Sequence, residues 1–106
     1  MSDVYEQAYT LLKKIEETKD SFEKDAKSIL KALLDKESSV DGWRRYRDVQ
    51  QLILTSRKLI NQAHSEILIA VKKPTISKLS NIQKNVSAFE EAWQTAQGYG
   101  MIGLLH

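Results

Sequence analysis

The residues best suited to chemistry in this chain form one short run, Trp43-Arg44-Arg45-Tyr46-Arg47. Guanidinium groups stack on aromatic planes and fork onto carboxylate or phosphate oxygens. Aromatic and basic side chains interleaved in this way therefore suit an acidic protein partner or a nucleic-acid backbone. Asp41 and Asp48 flank the run. If the run opens a helix, its cations sit at the positive end of the macrodipole, where they cost stability rather than add it. A purely structural reading keeps Trp43 and Tyr46 in the core and leaves the arginines solvated or paired with Asp35 and Glu37. No second basic stripe extends the run into a phosphate track, so an acidic partner ranks above nucleic acid.

Arg57 and His64 are the other pair with chemical potential. They fall seven apart, two turns along one face of a helix, a spacing that resembles the Arg-His pair of HEPN-type ribonucleases and would imply nuclease chemistry. The structural reading makes His64 a half-buried or solvated histidine beside Ala63. The only other histidine is the last residue, His106, and no Asp or Glu clusters with either at metal-ligand spacing, so neither a metal nor a cofactor is expected. Glu16-Glu17 and Glu90-Glu91 are sequence neighbours, about 100° apart on a helix, and read as solvated faces. A glycine-rich phosphate loop and a nucleophile elbow are both missing. The expectation is a protein that is not an enzyme.

Three stretches of helical periodicity must position these residues. The first, about 3–37, carries Val4, Ala8, Leu11, Ile15, Thr18, Phe22, Ala26, Ile29 and Leu33 at steps of about 3.6, with Ser2 as cap. Asp41-Gly42 supplies a φ-tolerant break. The second, about 41–72, places Tyr46, Val49, Ile53, Ser56, Ile60, Ala63, Ile67 and Ala70 on an alternating three-four seam. The third, about 75–97, opens with Pro74 in its first turn and carries Leu79, Ile82, Val86, Phe89, Trp93 and Ala96. Phe22, Ile53, Ile60, Val86, Phe89 and Trp93 form the expected shared core. The fold class is thus all-α, an antiparallel bundle of three long helices in one domain, 1–106.

Gly98, Gly100 and Gly103 weaken any helix past residue 97, so 98–106 reads as an apolar, flexible tail that could add a short fourth element. Helix 3 is then roughly 35 Å long against roughly 50 and 45 Å for the other two. The end holding Leu33, Trp43 and Tyr46 would lie beyond it, and the tail's Tyr99, Met101, Ile102, Leu104 and Leu105 could cover that end or meet a partner there. A competing reading makes 66–71 and 101–105 β-strands, because both are apolar and the first is β-branched.

Charge is uneven along the chain. Residues 1–40 hold seven Lys against nine acids, 41–73 hold seven Lys or Arg against three acids, and 74–106 are balanced, so the middle segment is the cationic one. With no cysteine, disulfide scaffolds and thiolate sites are excluded. The amino terminus has neither a basic nor an apolar leader region and no run is long enough to span a bilayer, which makes a cytoplasmic protein the expectation.

Size, basicity, absence of cysteine and the apolar tail give a layout that resembles the small helical immunity proteins of class II bacteriocins. That resemblance implies a non-enzymatic protein-binding role, of immunity type or as a phage-encoded accessory. The order Trp43 to Val71 followed by Leu79 to Leu105 looks like the linker and first βαβ unit of TrmB-type archaeal regulators, implying a regulatory or nucleic-acid-associated role for the Trp43–Arg47 cluster. The length is also similar to secreted WXG-type hairpins, although here Gly42 precedes Trp43 and Pro74 interrupts the second helix. The expected function is a helical interaction module binding another protein through Trp43, Arg44, Arg45, Arg47, Tyr99, Met101, Ile102, Leu104 and Leu105. A second copy of the chain is a further candidate partner.

Overall fold

The computed structural model describes the backbone of residues 3–36 and 40–105, and their side chains apart from those at 36, 40–42 and 103–105. Three helices account for nearly all of it: α1 (Val4–Lys36), α2 (Val40–Ala70) and α3 (Ile76–Leu105). They form an all-α antiparallel bundle of 55 × 20 × 17 Å. No strand occurs among the described residues, and both segments with strand-like composition lie in helices, 66–70 in α2 and 101–105 in α3.

The starts of α1 and α3 have local causes. Asp3 caps α1, its carboxylate accepting from the Tyr5 N–H at 3.2 Å, while Ser2, the expected cap, lies outside the described residues. Thr75 caps α3 in the same manner, its hydroxyl accepting from the Lys78 N–H at 3.1 Å. Pro74 is therefore buried just outside the helix and not in its first turn, contrary to the sequence expectation. Its ring disfavours helix at Lys73, and α2 ends by tightening, with Lys72 and Lys73 N–H groups bonding three residues back to the Ile69 and Ala70 carbonyls. Asp41 and Gly42 lie in the opening turn of α2, and no described glycine takes a positive φ, so that pair does not act as a left-handed stop.

The periodic residues are the core. Ile15, Phe22, Leu33, Val49, Ile53, Ile60, Ile67, Val86 and Phe89 are essentially inaccessible. Ser56, the polar member of the α2 seam, is buried because its hydroxyl donates to the Leu52 carbonyl at 2.7 Å. At mid-bundle Phe22 meets Phe89 and the half-buried Trp93 edge-on, with ring centroids 5.2 and 4.9 Å away. The pairs Glu23 with Arg57 and Glu16 with His64 fix the antiparallel register of α1 on α2, and Glu66 with Asn85 fixes that of α2 on α3.

The carboxy-terminal segment departs from expectation. Residues 98–105 do not form a flexible tail or a fourth element; they continue α3, which at 30 residues is about 45 Å long and matches its neighbours. Three helical glycines cost roughly 3 kcal/mol relative to alanine, but the alternating seam runs on through Trp93, Ala96, Gly100 and Gly103. Gly100 is buried on that seam, and a Cβ there would stand 2.8 Å from the Ile29 Cγ2 methyl, so glycine lets α3 close onto α1. Gly98 has open space around it. With α3 continued to Leu105, Leu33 is fully buried and Tyr46 packs partly against the core, so neither lies on a bare end of the bundle.

Two glycine substitutions should separate these roles. Gly98→Ala should raise stability by about 0.5 to 1 kcal/mol through helix propensity alone. Gly100→Ala should lower it by about 1 kcal/mol, because the stiff Ile29 methyl must give way. Urea unfolding of both variants checks this, and a gain in both would mean that α3 does not close on α1 at Gly100. In the same assay Phe89→Ala should cost about 3 to 5 kcal/mol, the price of truncating a buried aromatic.

Candidate functional site

The opening turns of α2 and the closing turns of α3 come together at one end of the rod. Arg45 Nη1 donates to the Tyr99 carbonyl at 3.5 Å, tying the basic cluster to the segment the sequence marked as its companion. That contact also places a cation near the negative end of α3, which has no basic residue of its own in its last turn. Trp43 sits edge-on to Tyr46, with ring centroids 5.9 Å apart, but only Tyr46 packs against the core. The structural expectation that both aromatics are core thus holds for Tyr46 and fails for Trp43, because Trp43 falls one residue past the seam.

Large apolar groups stay in solvent here: Trp43 is 55% exposed, Met101 54%, Ile102 48%, Leu34 46% and Tyr99 45%. Leu34 was missed by the sequence reading, although its place directly after the core residue Leu33 puts it off the stripe and was a usable signal. Leu104 and Leu105 close α3, but their side chains lie outside the described residues. Arg44 and Arg47 line a shallow depression of about 240 Å³ with Asp48 and Gln51. Among the described residues neither arginine pairs with Asp35 or any other acid, and Glu37, the second proposed partner, lies outside them.

Arg57 and His64 are on one face, as their spacing implied, but that face is turned against α1. Glu23 grips Arg57 through two hydrogen bonds, Nε to Oε1 at 2.7 Å and Nη2 to Oε2 at 3.1 Å, with the guanidinium 5.9 Å from the Phe22 ring centroid. These hydrogen bonds from Arg57 hold the Glu23 carboxyl below its ordinary range against the opposing effect of burial, and they raise Arg57 further. The His64 Nε2 atom is closed off from solvent without a hydrogen-bond partner, 3.6 Å from Glu16 Oε2. An arginine neutralised by Glu23 and a histidine with its Nε2 sealed do not present an open acid-base pair to a substrate. Glu16, read from sequence as part of a solvated face, is half-exposed but aimed at His64. No group of three metal-ligating residues occurs among the described residues.

An opening of about 480 Å³ lies at the other end between α1 and α3, lined by groups such as Thr10, Leu11, Lys14, Ile76 and Gln83. It brings no set of ionisable groups together. No helix is long and apolar enough to cross a membrane, among the described residues. Comparisons with protein-family models, with curated proteins and with solved structures find no match for this chain. The class defined by the coordinates is that of a three-helix bundle with exposed apolar and basic residues at both ends, the far one carrying Tyr9, Ile69 and Ile76 beside Lys72, Lys73 and Lys78.

The Glu23–Arg57 pair generates a pH prediction. Because the Glu23 pKa is depressed in the folded state, its contribution is fully present above the unfolded carboxyl value of 4.5 and is lost as pH falls through the lower folded value. Both side chains are about a third exposed, so solvent screening limits the pair to about 1 kcal/mol or less. The stability difference between the native chain and Glu23→Gln should be constant near neutral pH and shrink below pH 4.5. A difference that grows on acidification would contradict the pairing.

Proposed function

We propose that this protein is a non-enzymatic interaction module that binds another protein through the end of the bundle where α2 begins and α3 finishes. The observation that carries the reading is that Leu34, Trp43, Tyr99, Met101 and Ile102, all about half-exposed, belong to the helix turns that meet at this end, where Arg45 bonds the Tyr99 carbonyl. Apolar groups gathered beside arginine on a folded surface are characteristic of interface centres, where aromatic side chains and arginine carry most of the binding energy. A bacteriocin-immunity-type or phage-encoded accessory protein working in the cytoplasm is the concrete form of this proposal. Since the tail of that layout is a helix here, the proposal rests on the surface and not on the layout. The regulatory or nucleic-acid-associated reading is second: Arg45 is drawn to the Tyr99 carbonyl and Asp48 stands between Arg44 and Gln51, which leaves few cations for a phosphate track.

Capture of partners from the native host by the full chain tests the proposal. A partner retained by the native protein should be lost by Trp43→Ala combined with Met101→Ser, while circular dichroism shows both proteins equally helical. Truncating one hot-spot aromatic costs about 2 kcal/mol or more in binding. Retention of the same partner by that variant would remove this end from the interface.

A further inference from the structure

We infer that the strip Trp43–Arg44–Arg47–Gln51 on α2 seats an acidic amphipathic helix of the partner protein, an inference that rests on the binding reading above. On a helix, residues three and four apart are surface neighbours. Arg47 is therefore flanked by Trp43 four residues before, Arg44 three before and Gln51 four after, and Arg44, Arg47 and Gln51 do line one depression together with Asp48. Two guanidinium groups on successive turns present rigid forks that match carboxylates spaced one helical turn apart. Beside them the exposed Trp43 ring offers a broad apolar face to an aliphatic or aromatic side chain. A helix with acids one turn apart and an apolar residue next to them satisfies both features at once.

Charge separates this occupant from the alternatives. A second copy paired by the same end would set Arg44 and Arg47 against the same arginines, and one paired head to tail would bring up Lys72, Lys73 and Lys78 beside Asp3 and Glu6, so either way cation opposes cation. A nucleic-acid strand would have to carry its phosphates past Asp48, inside the depression. An acidic helix can turn an apolar or polar position toward Asp48 and its carboxylates toward Arg44 and Arg47.

The test uses the full chain and three probes: a synthetic helical peptide bearing Leu flanked by Glu one turn apart, its twin with Lys in place of Glu, and a single-stranded oligonucleotide. Fluorescence anisotropy of each labelled probe reads binding, and the NMR resonance of the Trp43 indole N–H reports location. The Glu peptide should bind, weaken with added salt, shift the Trp43 resonance, and lose about tenfold in affinity when Arg44→Gln and Arg47→Gln are combined. Ile69→Gln at the far end should change nothing. Equal binding of the Lys peptide, no binding of the Glu peptide, indifference to the double substitution, or oligonucleotide binding that the Glu peptide cannot displace would each overturn the inference. If capture of a native partner depends on Trp43 but not on Arg44 and Arg47, the binding reading stands and the acidic helix falls.

Discussion

Phe22 is the residue on which the arrangement of the three helices turns. Its ring is essentially inaccessible, meets two α3 aromatics edge-on, and lies beneath the Arg57 guanidinium of α2. Edge-on aromatic pairs are worth about 0.5 to 1.5 kcal/mol beyond the area they bury, and they are directional in a way that aliphatic contacts are not. α1 shares its least extensive interface with α3, so this contact sets their relative height. From that height follow the other registers: Glu23 meets Arg57, Glu16 faces His64, and Gly100 arrives opposite Ile29.

Those registers determine which polar groups are available for function. Arg57 and His64 occupy the flank of α2 that meets α1, so their charge and hydrogen-bonding capacity are spent on, or sealed by, the helix interface. A bidentate arginine-carboxylate pair fixes geometry more than it adds stability at a third exposure. Arg44 and Arg47 lie on a part of α2 that no neighbouring helix covers. The same residue type therefore has two fates on one helix, set only by angular position about its axis.

The basic end is also where the chain tolerates its least favourable local choices. α3 closes with glycines at 98, 100 and 103, and α2 opens with three arginines beside its positive terminus. Packing compensates the glycine at Gly100, where close approach to Ile29 requires one. Nothing within the described residues compensates the exposure of Trp43, Met101 and Ile102.

The three-helix class, the core stripes and the break at Pro74 were legible in the residues, because apolar side chains recurring every three or four positions specify which face of a helix turns inward whatever lies against it. Phe22, Ile53, Ile60, Val86 and Phe89 were all placed in the core on that ground, and all are buried. The path of residues 98–105 was not legible: intrinsic propensity opposes helix at each glycine, and only contact with α1 offsets the cost. The strand-like run at 66–71 was read as part of the second helix because the seam passes through it, and 66–70 are helical, since β-branched residues favour strands only where a sheet exists to receive them. Sequence likewise marked Trp43, the arginines, Tyr99, Met101 and Ile102 and brought them to one end of the bundle, while the way they meet, with Arg45 bonded to a Tyr99 carbonyl 54 positions on, came from the continuation of α3 as a helix. Periodicity along one helix records burial; which exposed residues become neighbours depends on how the helices are set against each other, and that is decided only in three dimensions.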